Sequence, residues 1–169
     1  MMASLSGLVV LALATALQSA VFSQIHLLQG AADVVLLTLA AWYMHEDAPA
    51  SWVWVVLAGL MVGTLSALPW WLFVMGYGMV AGFAMLLRRK LWRASFFAFF
   101  TVVLVGTLVT QGLAWGYLRF VLRSPLPLGE ALNRVVFPSL LLNLLFALPV
   151  YSLMDEWAAW FFPSKEVHV

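Results

Sequence analysis

Four long stretches of this sequence contain no charged side chain, and they decide what the chain can fold into. They run from Met1 to Ala32, from Ala48 to Leu87, from Ala94 to Leu118 and from Val135 to Met154. Only 9% of all residues are charged and 65% are apolar, whereas a soluble domain carries about 25% charged residues. So few charged residues cannot cover the surface of a water-soluble domain of this size. The sequence therefore predicts an integral membrane protein.

The charge-free stretches predict an all-α bundle of about six transmembrane helices, forming one domain over residues 1–169. The stretch Ala48–Leu87 would be about 60 Å long as a straight helix, twice a hydrocarbon core of about 30 Å, so it folds back once. Pro69 marks the break, because proline lacks a backbone donor and disfavours helix at the residue before it. The predicted spans are Leu5–Ile25, Ala31–Tyr43, Trp52–Leu68, Trp70–Leu87, Ala94–Trp115 and Val135–Trp157.

Lysines and arginines give the predicted orientation. Four of them lie together in the link between the fourth and fifth spans: Arg88, Arg89, Lys90 and Arg93. The positive-inside rule places this link, and with it both termini, in the cytoplasm. Three others flank the link between the fifth and sixth spans, which is then external: Arg119, Arg123 and Arg134. We expect the first stretch to stay as a helix rather than be cleaved as a signal peptide, since it lacks a basic start.

Side chains that carry catalysis or bind metals are sparse in this sequence. Cysteine is absent, and His26, His45 and His168 are not at metal-ligand spacing from one another or from acids. No motif places a nucleophile beside a base. A net charge of +1 gives no strong attraction to nucleic acid. The sequence therefore predicts a protein that is not an enzyme and has no catalytic, metal or cofactor residues.

Three pairs of glycines have the GxxxG spacing that places two small residues on one helix face. They are Gly59 with Gly63, Gly78 with Gly82, and Gly112 with Gly116. Such a face lets a second backbone approach closely, either from the same subunit or from a partner. Both uses are open at this point.

Two polar residues lie where the sequence is otherwise apolar. Asp33 falls near the external start of the second span, and an intramembrane acid is a functional hypothesis by default. It also suits the N-terminus of a helix, where it would cap the chain and meet water. Asn143 lies in the middle of the sixth span and needs hydrogen-bond partners there, either on another helix or at backbone freed by Pro138 or Pro149.

Three segments together resemble the MreD family, the small polytopic subunit of the bacterial rod-shape machinery. Span two begins with Ala32–Leu37, an aspartate followed by aliphatic residues. The third span contains the glycine–leucine segment Gly59–Pro69. The last span has the order arginine, proline, asparagine and proline–tyrosine, at Arg134, Pro138, Asn143, Pro149 and Tyr151. One departure is Gly63, where the family commonly has an aspartate, so a role tied to that carboxylate does not carry over.

The resemblance implies a non-enzymatic scaffold of the bacterial inner membrane that supports peptidoglycan synthesis during elongation. MreD proteins partner MreC, a bitopic membrane protein, and through the complex they connect with the elongation transpeptidase, RodA and MreB. The predicted mechanism is association: a lipid-facing groove lined by small residues accepts the single helix of MreC. Four glycines are candidates for this groove: Gly59, Gly63, Gly78 and Gly82.

The alternative function is the substrate-binding subunit of a small-molecule transporter, like those of energy-coupling-factor vitamin transporters. Such subunits are also six-helix proteins of this size, and they need an outward pocket with convergent polar and aromatic groups. Six residues could supply one: Gln29, Asp33, Trp70, Trp71, Arg119 and Asn143.

Overall fold

The computed structural model describes residues 2–21, 24, 26–45, 51–90 and 95–161, and most of them are helical. The elements, in chain order, are α1 (Met2–Ala20), strands β1 (His26–Leu27) and β2 (Gly30–Ala31), α2 (Val34–Met44), α3 (Trp52–Leu65), α4 (Trp70–Lys90), α5 (Ser95–Gly116), α6 (Leu128–Ala131) and α7 (Phe137–Phe161). A π-helical segment, Tyr117–Val121, extends α5. A second one, Leu132–Val136, joins α6 to α7.

Three helical segments are long and apolar enough to cross a membrane. They are Trp70–Arg89, Phe96–Val121 and Leu128–Trp157. Shorter apolar helices accompany them, at Gly7–Ala20, Val34–Met44 and Trp52–Leu65. The chain therefore has the helical, membrane-compatible character that its missing charges predict.

Several predicted helix ends differ from those in the structure. The first helix ends at Ala20 rather than near Ile25. The second begins at Val34, not Ala31, because residues 26–31 form a short antiparallel hairpin in which Leu27 pairs with Gly30. The helical region that includes the sixth span begins at Leu128, directly after the extended backbone of Pro127, instead of at Val135.

Part of the predicted topology lies outside the described residues. This applies to the two chain ends, to residues 46–50 and to residues 91–94, which include Arg93 of the basic link. The nearby Arg88 is described, and its Nη1 donates to the carbonyl of His45, the C-cap of α2, at 2.7 Å. A cation at this position complements the partial negative charge of the helix C-terminus.

Helix α2 is the centre of the bundle. All of its 11 residues are buried, and α1, α4, α5 and α7 pack against it, with a smaller contact from α3. Around it, neighbouring outer helices pack in the order α1, α3, α4, α5, α7. Within the described part of the chain, α1 and α7 make no comparable contact. The ring around α2 is therefore open on one side.

Helices α3 and α4 form the most extensive helix pair, and two glycines permit it. A Cβ on Gly59 would lie 2.5 Å from Val74 Cγ2 and 2.7 Å from the Val74 backbone nitrogen. A Cβ on Gly63 would lie 2.5 Å from Trp70 Cα. Since these neighbours include backbone atoms, larger residues would push the helices apart. Gly59 and Gly63 thus lie at a contact inside the subunit.

The other four glycines of the GxxxG pairs are less constrained. A Cβ on Gly78 would make only ordinary contacts, at 3.7 Å from Val55 and 3.9 Å from Trp52 of α3. Cβ atoms on Gly82, Gly112 and Gly116 would meet nothing within 4 Å.

We expect Gly59→Ala to lower the free energy of unfolding by about 1–3 kcal/mol, because the added methyl group meets the Val74 backbone. Gly82→Ala is the matched control in α4, where the methyl group meets open space and improves helix propensity by under about 1 kcal/mol. Unfolding of the purified protein by a titrated denaturing detergent measures both changes. Equal effects of the two variants would contradict the close α3–α4 contact.

Candidate functional site

The chain is unwound between β2 and α2, beside the middle of an apolar helical segment that is long enough to cross a membrane. The N–H of Asp33 donates to Asn143 Oδ1 at 2.7 Å, and Asn143 lies near the middle of the apolar segment Leu128–Trp157. Helix α2 itself is only about 16 Å long, half of a hydrocarbon core of about 30 Å. Within the hydrocarbon core of a membrane, non-helical backbone is tolerated only where protein or a water-filled cavity surrounds it.

Side chains from α1 and α7 satisfy the backbone of this unwound segment. The amide of Gln18 makes two bonds, since its Nε2 donates to the carbonyl of Ala32 at 2.8 Å and its Oε1 accepts from the N–H of Val34 at 2.7 Å. The hydroxyl of Ser139 accepts from the N–H of Ala31 at 3.2 Å. The N–H groups of Ala31, Asp33 and Val34 and the carbonyl of Ala32 are therefore paired.

The carboxylate of Asp33 caps the N-terminus of α2. Its Oδ1 accepts from the N–H of Leu36 at 2.9 Å. The hydroxyl of Tyr77, which is fully buried on α4, donates to both carboxylate oxygens at 3.1 and 3.0 Å. These donors and the positive end of the helix dipole offset part of the cost of burying a carboxylate at this position. The capping role expected from the sequence is thus seen.

Asn143 connects the unwound segment to α5. Its Nδ2 donates to Thr107 Oγ1 at 2.9 Å, and the Thr107 hydroxyl donates to the carbonyl of Val103 at 2.7 Å. Both side chains are buried, with 1% and 0% of their surface exposed. One amide therefore links three separate parts of the bundle: the start of α2, α5 and α7.

Arg134 and Pro138 hold the hairpin against the start of α7. Because Pro138 has no N–H, it cannot bond the carbonyl of Arg134 four residues earlier, and this carbonyl accepts from the N–H of Gln29 at 3.0 Å. A Cβ on Gly30 would lie 2.5 Å from the backbone nitrogen of Ser139, so the strand approaches α7 as closely as backbones can. The Arg134 side chain points elsewhere and pairs with Glu130 at 2.9 Å.

Asp33 lines a cavity of about 490 Å³ that opens beside the hairpin. Helices α1, α3, α5 and α7 contribute to its wall with the hairpin and the first turn of α4. Its polar lining residues are Gln18, Ser19, Gln29, Asp33, Ser66, Gln111 and Ser139, and its apolar side chains are Ala31, Ala32, Val62, Leu65, Phe73 and Val135. Asp33 is the only one of these residues that carries a formal charge.

A second concavity lies where the ring of helices is open. This groove between α1 and α7 encloses about 400 Å³ and reaches α2 at its base. It is lined by Val10, Leu13, Ala14, Leu17, Val34, Thr38, Phe146, Pro149, Val150, Leu153, Met154 and Trp157. Nearly all of its surface is apolar, as expected for a face that meets lipid or a lipid-soluble partner.

The structure brings together four of the residues singled out in the sequence and separates others. Asp33, Arg134, Pro138 and Asn143 all contact or belong to the segment before α2. Tyr151 lies apart from this segment and packs on the ring of Phe99, with the ring centres 4.9 Å apart. Of the six candidate pocket residues, Gln29 and Asp33 line the cavity, whereas Trp70, Trp71, Arg119 and Asn143 do not.

Sequence reasoning missed five polar residues of the site. These are Gln18, Tyr77, Thr107, Gln111 and Ser139. A signal was present, because glutamine amides inside apolar stretches require partners in a membrane. The threonine gave no such signal, since a hydroxyl can bond its own helix, as Thr107 also does.

The described residues offer little for metal chemistry. They contain no group of three or more His, Asp or Glu side chains that could hold a metal ion. His26 lies in β1 and His45 at the end of α2, while His168 lies outside the described residues.

Comparison with known proteins gives no relative for this chain. No protein-family model matches it, and neither a curated protein nor a solved structure is significantly similar to it.

We expect Asn143→Leu to lower the free energy of unfolding in detergent by about 1–3 kcal/mol, since the buried N–H of Asp33 loses its acceptor. Thr107→Val should cost less, because only one of the two Asn143 bonds is lost. Thr101→Val is the matched control in the same helix, because Thr101 is exposed and bonds only the carbonyl of Phe97. A neutral or stabilising Asn143→Leu would contradict a linking role for the amide.

Proposed function

We propose that this protein is a non-enzymatic scaffold subunit of the bacterial inner membrane, similar to MreD, that binds the single transmembrane helix of an MreC-like partner. The hairpin and α2 together would make the second of six passes, with both termini in the cytoplasm. Through the partner, the subunit would support peptidoglycan synthesis with the elongation transpeptidase, RodA and MreB.

The open ring around α2 is the observation that carries this proposal. Outer helices cover α2 on every side except between α1 and α7, and Val34 and Thr38 of α2 line the groove left there. A helix added at this position would meet both neighbours and complete the ring. A bitopic partner supplies one such helix.

Chemistry of the groove favours an apolar helix over a polar ligand. Only a small part of its surface is polar, and the one hydroxyl in its lining, on Thr38, already donates to the carbonyl of Val34 at 2.8 Å. Leu13, Leu17 and Leu153 project into it and are about half exposed. Such side chains can interdigitate with those of an incoming helix, which is how helices associate in lipid.

The residues behind the MreD resemblance also have a shared structural task. Asp33, Arg134, Pro138 and Asn143 together hold the unwound segment and start α2. Their joint presence in the sequence is therefore understandable as a requirement of this fold. Gly63, where the family commonly has an aspartate, lies against the Trp70 backbone, so a carboxylate there would not fit this α3–α4 contact.

The transporter alternative has one observation in its favour, the cavity at Asp33 with its convergent amides and hydroxyls. The two functions differ in what accompanies the subunit. A carrier subunit would co-purify with transporter ATPases, whereas a scaffold would co-purify with a bitopic protein.

We expect Leu153→Trp to reduce co-purification with an MreC-like partner from native membranes, because the larger ring fills the groove. Leu141→Trp is the matched control on the same helix, since Leu141 is equally exposed, at 60% against 58%, but does not line the groove. Both variants should insert and fold normally. Retention of the partner by Leu153→Trp would remove this groove from the proposal.

A further inference from the structure

The cavity at Asp33 contains an acid that forms no ion pair with a cation of the described residues. Among the described residues, the single side-chain ion pair joins Arg134 to Glu130, and Asp33 takes part in none. The residue as a whole is partly exposed, and it lines the cavity. An ionisable side chain inside a membrane protein is a functional-site hypothesis by default, and an acid suits a cationic ligand.

The donors around Asp33 hold the carboxylate in place but leave it able to accept a further hydrogen bond. Oδ1 receives the N–H of Leu36, and the Tyr77 hydroxyl is shared between Oδ1 and Oδ2. The backbone N–H of Val35 also bonds the carboxylate. Since a carboxylate has about four acceptor positions, it can accept a further N–H bond from a ligand.

Amide and hydroxyl groups line the same cavity near the acid. Gln111 Nε2 donates to Ser139 Oγ at 3.3 Å, which leaves the Gln111 carbonyl oxygen as an acceptor without a partner among the described residues. Gln29 is exposed at the hairpin turn and lines the cavity as well. These groups suit a ligand that donates several hydrogen bonds.

The remaining walls are apolar, and the volume is that of an organic molecule. Val62, Leu65, Phe73 and Val135 also line the cavity. Its volume of about 490 Å³ falls in the range of about 300–1,000 Å³ of small-molecule pockets, far more than a bare ion fills. A ligand for this site needs a charged end and an apolar body.

We propose that this cavity binds a small organic cation, a protonated amine with an apolar body, whose ammonium group donates to Asp33 while the body packs against Val62, Leu65 and Phe73. The site is separate from the groove between α1 and α7, so the inference stands whichever partner the subunit has.

Ligand-observed NMR on the full-length protein in detergent tests the proposal with benzylammonium as the probe. Benzyl alcohol and benzoate are the charge controls, because they keep the ring and replace the cation by a neutral or negative group. We expect saturable binding of benzylammonium and at least about tenfold weaker binding of both controls, as for loss of a charged hydrogen bond. Sodium chloride is then varied to show whether a small ion competes.

Variants separate the cavity from unspecific uptake by the micelle. Asp33→Asn keeps the capping ability of the side chain and removes its charge, so benzylammonium should bind at least about tenfold more weakly. Glu130→Gln is the matched control, because it removes a carboxylate that pairs with Arg134 and does not line the cavity, and it should bind like the unmodified protein. If Asp33→Asn does not fold, Gln111→Leu tests the same cavity and should weaken binding about fivefold.

Three results of the binding measurements would overturn the proposal. They are equal binding of benzylammonium and benzyl alcohol, unchanged binding by the folded cavity variant, and no saturable binding of benzylammonium up to about 10 mM, which still covers millimolar dissociation constants. Competition by sodium at concentrations comparable to those of benzylammonium would also overturn it, since the site would then be one for a bare ion.

Discussion

The bundle depends on one requirement: the backbone of residues 31–34 must find hydrogen bonds where lipid supplies none. Leaving even one such N–H or carbonyl unpaired in hydrocarbon costs several kcal/mol. The amide of Gln18 and the side chains of Ser139 and Asn143 meet this requirement from two helices that are far apart in sequence. Helix α2 can begin at Val34 because these groups are present together.

Meeting that requirement also arranges the outer helices. Tyr77 of α4 bonds Asp33, and Thr107 of α5 bonds Asn143, so both helices are held at the start of α2. Apolar packing alone does little to determine which helices associate in lipid, because a leucine side chain is about as stable against acyl chains as against another helix. Directional hydrogen bonds at one end of α2 therefore fix which helices meet there and at what height, and close contacts such as that of Gly59 with Val74 complete the packing.

The sequence predicts best those features that depend on residues close together along the chain. Missing charges located the apolar segments, and Pro69 located the break between α3 and α4, because both depend on local composition. Asp33 and Asn143 could be recognised as unusual, but their contact could not, since it joins residues 110 apart along the chain. The start of α2 was misplaced at Ala31 because Gly30 and Ala31 are as apolar as the helix that follows. Only the close approach of Gly30 to Ser139 explains why the hairpin precedes it.

The position of Ser139 and Asn143 near the end of the chain bears on how the protein is made. Gln18 can pair with Ala32 and Val34 as soon as the second segment has been synthesised. The N–H groups of Ala31 and Asp33 obtain their partners only after α7 has entered the membrane. A nascent chain that stops before α7 would carry unpaired polar backbone just before its core helix. The first two helices can therefore complete their hydrogen bonds only after the last helix has been synthesised.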